Sequence, residues 1–161
     1  MRNINSRNKI IERNRIFFSK YLNMTENEFF NRLSLAGPPK GFATKVWSTK
    51  NPTAGRCGSV INALRLSSKL PIGFIACGQN EKSGGSHYYL INPITNEVID
   101  PTVYQMDKPY TYEKFHTKFL PQLSENVKKT LKALDLEIDK SKFTVTKSKS
   151  GTDIIRRVKG K

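Results

Sequence analysis

The chain has 161 residues, 37% of them hydrophobic and 10% aromatic, enough for one domain with a core that needs no staple. Two cysteines, Cys57 and Cys77, without paired His/Cys spacing exclude a disulfide scaffold and a zinc module, and no apolar run has signal-peptide or membrane-span length. The formal charge of +15 is uneven: residues 1–56 carry 11 basic against 3 acidic residues (net +8), residues 57–107 carry 3 against 4 (net −1), and residues 108–161 carry 14 against 6 (net +8).

Residues 7–22 read as a helix whose apolar face is Ile10, Phe17, Phe18, Tyr21 and Leu22. Thr25 and Glu28 form the sequence signature of a capping box, opening a helix that carries Phe29, Phe30 and Leu33 and stops at Gly37-Pro38-Pro39. Residues 40–56, punctuated by Gly41, Pro52 and Gly55, read as an extended loop. Within it Trp47, the lone tryptophan, reads first as a core residue and second as the wall of a substrate cleft.

At Cys57 the period becomes helical: Cys57, Val60, Ile61, Leu64 and Ser68 fall on one face, with the thiol at its N-terminal end. Leu70 to Cys77 then reads as a short buried strand, Gly78 to Gly85 as a polar loop, and Ser86–Ile91 and 97–99 as the arms of a β-hairpin. Beyond an irregular connection, Thr111 to Leu120 reads as a helix with Tyr112, Phe115 and Phe119 on one face. Ser124 caps another carrying Val127, Leu131 and Leu134, residues 142–147 read as a strand, and Ile154, Ile155 and Val158 suit an edge strand within a basic tail. One domain is expected, with a basic helical region 1–46, a core 47–105 and a C-terminal region 106–161.

Cys57, His87 and Asp100 are the candidate chemical residues. A thiolate is a strong nucleophile, whereas a free thiol, with a pKa near ~8.5, is mostly protonated at neutral pH. A helix N-terminus and an imidazole partner both favour the anion, and the first helical amides can stabilise an oxyanion. Arg56 adds positive field next to the thiol, and Ser48, Thr49 and Asn51 are candidate side-chain donors to an oxyanion hole.

If Pro93-Ile94-Thr95-Asn96 is a four-residue hairpin loop, Asn92 faces Glu97 and Tyr89 faces Asp100. Strict alternation then puts His87, Tyr89 and Asp100 on one face, His87 and Asp100 being diagonal neighbours at roughly 7–8 Å between backbones. The expected contact is Nδ1–H to the carboxylate, leaving Nε2 for Cys57. Taken singly, each residue has a plainer role, since buried cysteines mostly pack and Asp before Pro is a common turn former. Their conjunction favours chemistry. Cys77, within an apolar run, reads as inert core; His116 is a distant alternative base, and Asn92 or Asn96 an alternative orienter.

Together, Trp47, the helix-opening Arg56-Cys57-Gly58 with Ala63-Leu64, His87-Tyr88-Tyr89, and Asp100-Pro101-Thr102-Val103-Tyr104-Gln105 resemble the YunG-like proteins. That family is similar in layout to papain-like and transglutaminase-like thiol enzymes. The resemblance implies an α+β fold with a nucleophile helix packed on an antiparallel sheet and peripheral helices at both ends. It also implies a Cys57, His87, Asp100 triad supported by Trp47, Thr102 and Gln105.

The function expected is a thiol hydrolase or acyltransferase (peptidase, isopeptidase, amidase or deamidase) working through a Cys57 thioester on a protein or peptide-like amide, with no cofactor or metal. The competing expectation is a basic nucleic-acid-binding protein of viral or mobile-element origin with a non-catalytic thiol-enzyme fold; a degenerate fold acting as a decoy is a third. The basic flanks suit an acidic protein or nucleic acid as partner. A cytoplasmic location is expected, in the host cytoplasm if the protein is viral, with no membrane association.

Overall fold

The computed structural model describes residues 3–41, 47–80, 86–106, 110–113 and 120–159. It is an α+β structure: α1 (Arg7–Leu22), α2 (Glu26–Ala36) and α3 (Cys57–Leu66) precede strands β1 (Ile75–Asn80), β2 (Ser86–Ile91) and β3 (Val98–Ile99). A single 3-10 turn (Val103–Gln105), α4 (Glu125–Ala133) and strands β4 (Phe143–Lys147) and β5 (Asp153–Arg157) follow. The first three strands form an antiparallel sheet in the order β1-β2-β3, and β4 and β5 form a separate hairpin. Among the described residues no helix is long and apolar enough to cross a membrane.

Local chemistry explains the helix ends. The Ser6 hydroxyl accepts from the Lys9 amide at the start of α1, and Ser124 does the same for Val127 at the start of α4. At α2 both halves of the Thr25/Glu28 capping box form, with Glu28 N donating to Thr25 Oγ1 at 3.1 Å. Asn23 takes a left-handed conformation after α1, which turns the chain and sets α2 against α1. The Phe18 and Phe29 rings then stack at 4.2 Å between centroids, an arrangement worth roughly 0.5–1.5 kcal/mol beyond simple burial.

The sheet divides the core. On one face Ala76, Leu90 and Ile99 meet Val60, Ile61 and Leu64 of α3 and the aromatic residues of α1 and α2. The opposite face buries Cys77, Tyr89, Ile91 and Val98 with Ile10 and Val103. A third cluster joins Ala63 and Leu66 of α3 to Val127, Leu131, Phe143 and Ile155. Helix α3 is therefore clamped between the sheet on one side and α4 with the β4-β5 hairpin on the other.

The hairpin register is the expected one. Leu90 pairs with Ile99 and Ile91 with Val98, and Asn92 N donates to Glu97 O at 2.9 Å. Asn92 Oδ1 holds the turn by accepting from the Ile94 and Thr95 amides, and Asn96 takes the positive φ of 67° that closes it. The Asn92 side chain is thus spent on the turn, and it is Asp100, not either asparagine, that meets the His87 ring.

Two element boundaries differ from expectation. Leu70 to Phe74 is not strand, because Pro71 lacks an amide donor and Gly73 turns the chain at φ +87°. The strand starts at Ile75 and runs on through Gly78, Gln79 and Asn80, which pair with Tyr88, His87 and Ser86. The expected helix from Thr111 does not begin there either: residues 111–113 are extended, held by Glu113 N donating to Tyr89 Oη at 3.0 Å and to Gln79 Oε1 at 3.2 Å. Residues 114–119, with Phe115, His116 and Phe119, lie outside the described residues, as do residues 81–85 of the expected polar loop.

Two glycines face the Tyr88 ring, and they differ. A β-carbon on Gly78 would lie 2.7 Å from Tyr88 Cε1, whereas one on Gly58 would meet the ring at an ordinary 3.5 Å. Gly78→Ala should therefore lower stability in urea unfolding by about 1–3 kcal/mol. Gly58→Ala, in the first turn of α3, should be neutral or slightly stabilising.

Candidate active site

The organising group is the Asp100 carboxylate, which is fully buried, as is almost all of His87. Oδ2 accepts from His87 Nε2 at 2.7 Å and from the Tyr112 hydroxyl at 2.7 Å. Oδ1 faces the Thr102 amide at 3.3 Å and the Thr102 hydroxyl at 3.5 Å. A buried carboxylate needs this many donors to offset its lost hydration.

The position of each donor follows from local structure. Asp100 directly follows β3, so alternation turns it to the face of His87 and Tyr89. Pro101 and the 3-10 turn fold the next residues back, which brings Thr102 under Oδ1. Asn14 of α1 donates from Nδ2 to the Asp100 carbonyl at 2.8 Å. Arg13 Nη1 donates to the Val98 carbonyl at 2.9 Å and Arg7 Nη1 to the Val103 carbonyl at 3.1 Å. The first helix is therefore a buttress of the Asp100 segment and not a peripheral addition.

Cys57 is the first residue of α3 and half-exposed, its thiol donating to the Ser86 carbonyl at 3.5 Å and near enough to the His87 imidazole to raise that ring's pKa. The ring is used in the opposite sense to that expected: Nε2, not Nδ1, meets Asp100, which leaves Nδ1 for the thiol. The reason is reach. Asp100 is a diagonal neighbour, and Nε2 lies farther from the backbone than Nδ1, so only the far nitrogen spans the gap. The near one faces Gln105 Nε2 at 3.3 Å, on the ring's backbone side, where Cys57 lies against Ser86.

Gln105 joins this centre to the loop before the helix. Its Oε1 accepts from the Gly55 amide at 3.1 Å, which orients the side chain so that Nε2 faces Thr102 Oγ1 at 3.1 Å and His87 Nδ1 at 3.3 Å. Gly55 has a φ of +72°, a conformation that suits glycine and delivers the chain to Cys57. Trp47 is half-buried rather than a core anchor, and its indole N–H donates to the Pro52 carbonyl at 3.2 Å, bracing the same loop.

One expected contribution falls elsewhere. Arg56 turns away from the thiol and is fully buried, donating from Nη1 to Thr130 Oγ1 at 3.3 Å and from Nη2 to the Gly37 carbonyl; burial lowers its pKa. It ties the start of α3 to α4 and to the end of α2. Ser48 and Asn51 pair through their backbones in a small turn in which Ser48 Oγ accepts from the Lys50 amide at 3.2 Å, and Thr49 offers its carbonyl to Ser34 Oγ. Cys77 is fully buried on the sheet and, like Cys57, is in no disulfide.

Tyr112 is the residue that sequence reasoning misplaced, on a helix. The signal was the alternation Tyr110-x-Tyr112 after Pro109, which suits an extended chain. Tyr110 and Tyr112 pack edge-on at 4.8 Å between ring centroids, and Tyr110 sits edge-on to His87 at 4.9 Å. This collar encloses the imidazole side of the site, and the thiol side is the accessible one. Asn14 was also legible, as a polar residue on the apolar face between Ile10 and Phe17.

Burial alone would lower the His87 pKa, but the Asp100 charge and hydrogen bond, with a smaller contribution from Cys57, push it up to about 10. The Gln105 Nε2–H works against this, because it favours an unprotonated Nδ1. At 3.3 Å it is the longer contact, and the 2.7 Å bond to the carboxylate dominates. Burial and then Asp100 hold the Tyr112 hydroxyl far above the usual phenol range, so it stays a donor. Among the described residues no group of three or more His, Cys, Asp or Glu side chains is placed to hold a metal ion.

A histidine whose pKa is near 6.5 unfolded and about 10 folded stabilises the fold fully below the first value and loses that contribution as pH rises through the second. The unfolding free energy of the wild type should therefore decline between pH 6.5 and 10 more steeply than that of His87→Gln. Asp100→Asn should bring the imidazole titration, followed by NMR, back toward neutrality. A histidine that titrates near 6.5 in the wild type would contradict the assigned pairing. Compared with protein-family models, curated proteins and solved structures, the chain matches none.

Proposed function

We propose that the protein is a thiol hydrolase or acyltransferase acting on an amide of a protein or peptide-like substrate, in a papain-like or transglutaminase-like arrangement. The observation that carries the reading is the buried His87–Asp100 pair at 2.7 Å beside the half-exposed Cys57 thiol, which sits against the Ser86 carbonyl next to that histidine. With its pKa pushed up to about 10, His87 already carries the proton at neutral pH, and Sγ attacks the acyl carbon as a thiolate beside the imidazolium. The amide of Cys57, at a helix start where no intrahelical acceptor exists, is the first candidate to hold the resulting oxyanion.

His87 then protonates the departing amine, the C–N bond breaks, and a Cys57 thioester remains. Water or a second amine attacks it, His87 accepts the proton of the incoming group, and Cys57 leaves as the thiolate. Asp100 keeps the ring oriented and offsets its charge throughout; Tyr112 and Thr102 hold Asp100, and Gln105 holds the ring and the Gly55 loop together. Hydrolysis, deamidation and transfer differ only in the two nucleophiles, so these residues suit all three.

A catalytically silent thiol-enzyme fold is the competing reading. It requires the thiol and the imidazole to be separated, and the position of Sγ at 3.5 Å from the carbonyl of Ser86, the residue before His87, counts against it.

Labelling with iodoacetamide at neutral pH, read by mass spectrometry, tests the proposal. Cys57→Ala should abolish rapid labelling and Cys77→Ala should leave it intact, while His87→Ala should slow Cys57 labelling by about tenfold or more, in line with the usual worth of such a partner. Equal rates at Cys57 and Cys77, or an unchanged rate in His87→Ala, would remove the case for an activated thiol.

A further inference from the structure

A second cleft, of about 270 Å³, lies on the other flank of α3. Three cations from separate parts of the chain line it: Arg65 from α3, Lys142 just before β4 and Arg157 at the end of β5. Leu70 and Phe74 contribute apolar surface, and no acidic residue is among the lining groups. The register of the hairpin explains the convergence. Phe143 pairs with Arg157, so when Phe143 packs into the core below α3 the guanidinium is carried to the same side, facing Arg65.

Like charges gathered at one place cost energy unless something anionic relieves them. Burial, and after it the Arg157 charge, holds the Arg65 guanidinium below the usual arginine range. Among the described residues neither Lys142 nor Arg157 makes an ion pair. Asp139, whose charge is felt at Lys142, is engaged by the Ser68 and Ser141 hydroxyls at 2.6 Å each. Lys142 and Arg157 thus stand without ion pairs among the described residues beside a half-buried phenylalanine, a combination that matches a phosphodiester beside an aromatic base.

We infer that this cleft binds single-stranded nucleic acid, with Arg65, Lys142 and Arg157 on the phosphates and Phe74 against a base. A strand fits better than an isolated phosphate, because Phe74 offers a stacking surface for a base beside the cations. The site is independent of the thiol chemistry.

Fluorescence anisotropy with a short fluorescein-labelled oligothymidylate tests the inference on the full chain. Lys142→Glu with Arg157→Glu should weaken binding by about tenfold or more, and should flatten the dependence of log affinity on log salt by about 1.4, two phosphates at about 0.7 each. A control pair of equal charge change on other exposed lysines, Lys20→Glu with Lys50→Glu, should weaken it by about threefold or less. Phe74→Leu, which keeps an apolar side chain but removes the ring, should also reduce affinity. Thermal unfolding of each variant reports whether the fold is retained, and iodoacetamide labelling of Cys57 should be unchanged throughout. No binding by the wild type, equal loss in the cleft and control pairs, or tighter binding of a duplex of the same length would overturn the assignment.

Discussion

The Asp100 carboxylate sets the terms for the centre of this protein. A charge taken wholly out of water is tolerated only where donors replace its hydration, and here they come from three directions: the His87 ring, the Tyr112 hydroxyl and the Thr102 backbone and side chain. Each recruits a different segment. His87 binds the middle strand of the sheet to the carboxylate, Tyr112 draws the chain after residue 109 back over the sheet, and Thr102 requires the tight turn after Pro101. The aromatic collar and the 3-10 turn are consequences of satisfying one buried charge.

Helix α3 supplies the other half of the centre, and its position is decided by packing on both of its sides. Val60, Ile61 and Leu64 seat it on the sheet, while Ala63 and Leu66 seat it against α4 and the β4-β5 hairpin. The buried Arg56 guanidinium adds polar ties to Thr130 and Gly37. With the helix axis so constrained, its first residue stops beside the backbone of Ser86, where the thiol can reach the imidazole. The Gly55 to Gln105 bond then couples the incoming loop to the same network.

Positive charge is used in two ways. In the N-terminal flank Arg7 and Arg13 donate to carbonyls of the segment around Asp100, so part of what reads as a solvated basic surface is structural. In the C-terminal flank Lys142 and Arg157 are carried by a hairpin that delivers them to Arg65. The neutral middle of the chain holds the candidate chemistry, and the charged ends respectively brace it and build a separate anionic-ligand cleft.

Much of this arrangement was written locally. The Thr25/Glu28 box, the helical period from Cys57 and the four-residue turn after Asn92 are short-range signals, and period-two alternation then forces His87 and Asp100 onto one face. What the sequence by itself determined was therefore most of the helices and strands, the hairpin register and the shared face of His87 and Asp100, because each depends on neighbours within a few positions. The tertiary structure alone decided which imidazole nitrogen meets the carboxylate, since that depends on the diagonal span between strands. It also decided that Tyr112 leaves its apparent helical pattern to reach Asp100, that Arg56 turns inward, and that Arg65 and Arg157 meet. Those outcomes join residues 12 or more positions apart, 74 for Arg56 and Thr130, beyond the span that a local pattern covers, and the packing of α3 between the sheet and the hairpin places the most distant of them.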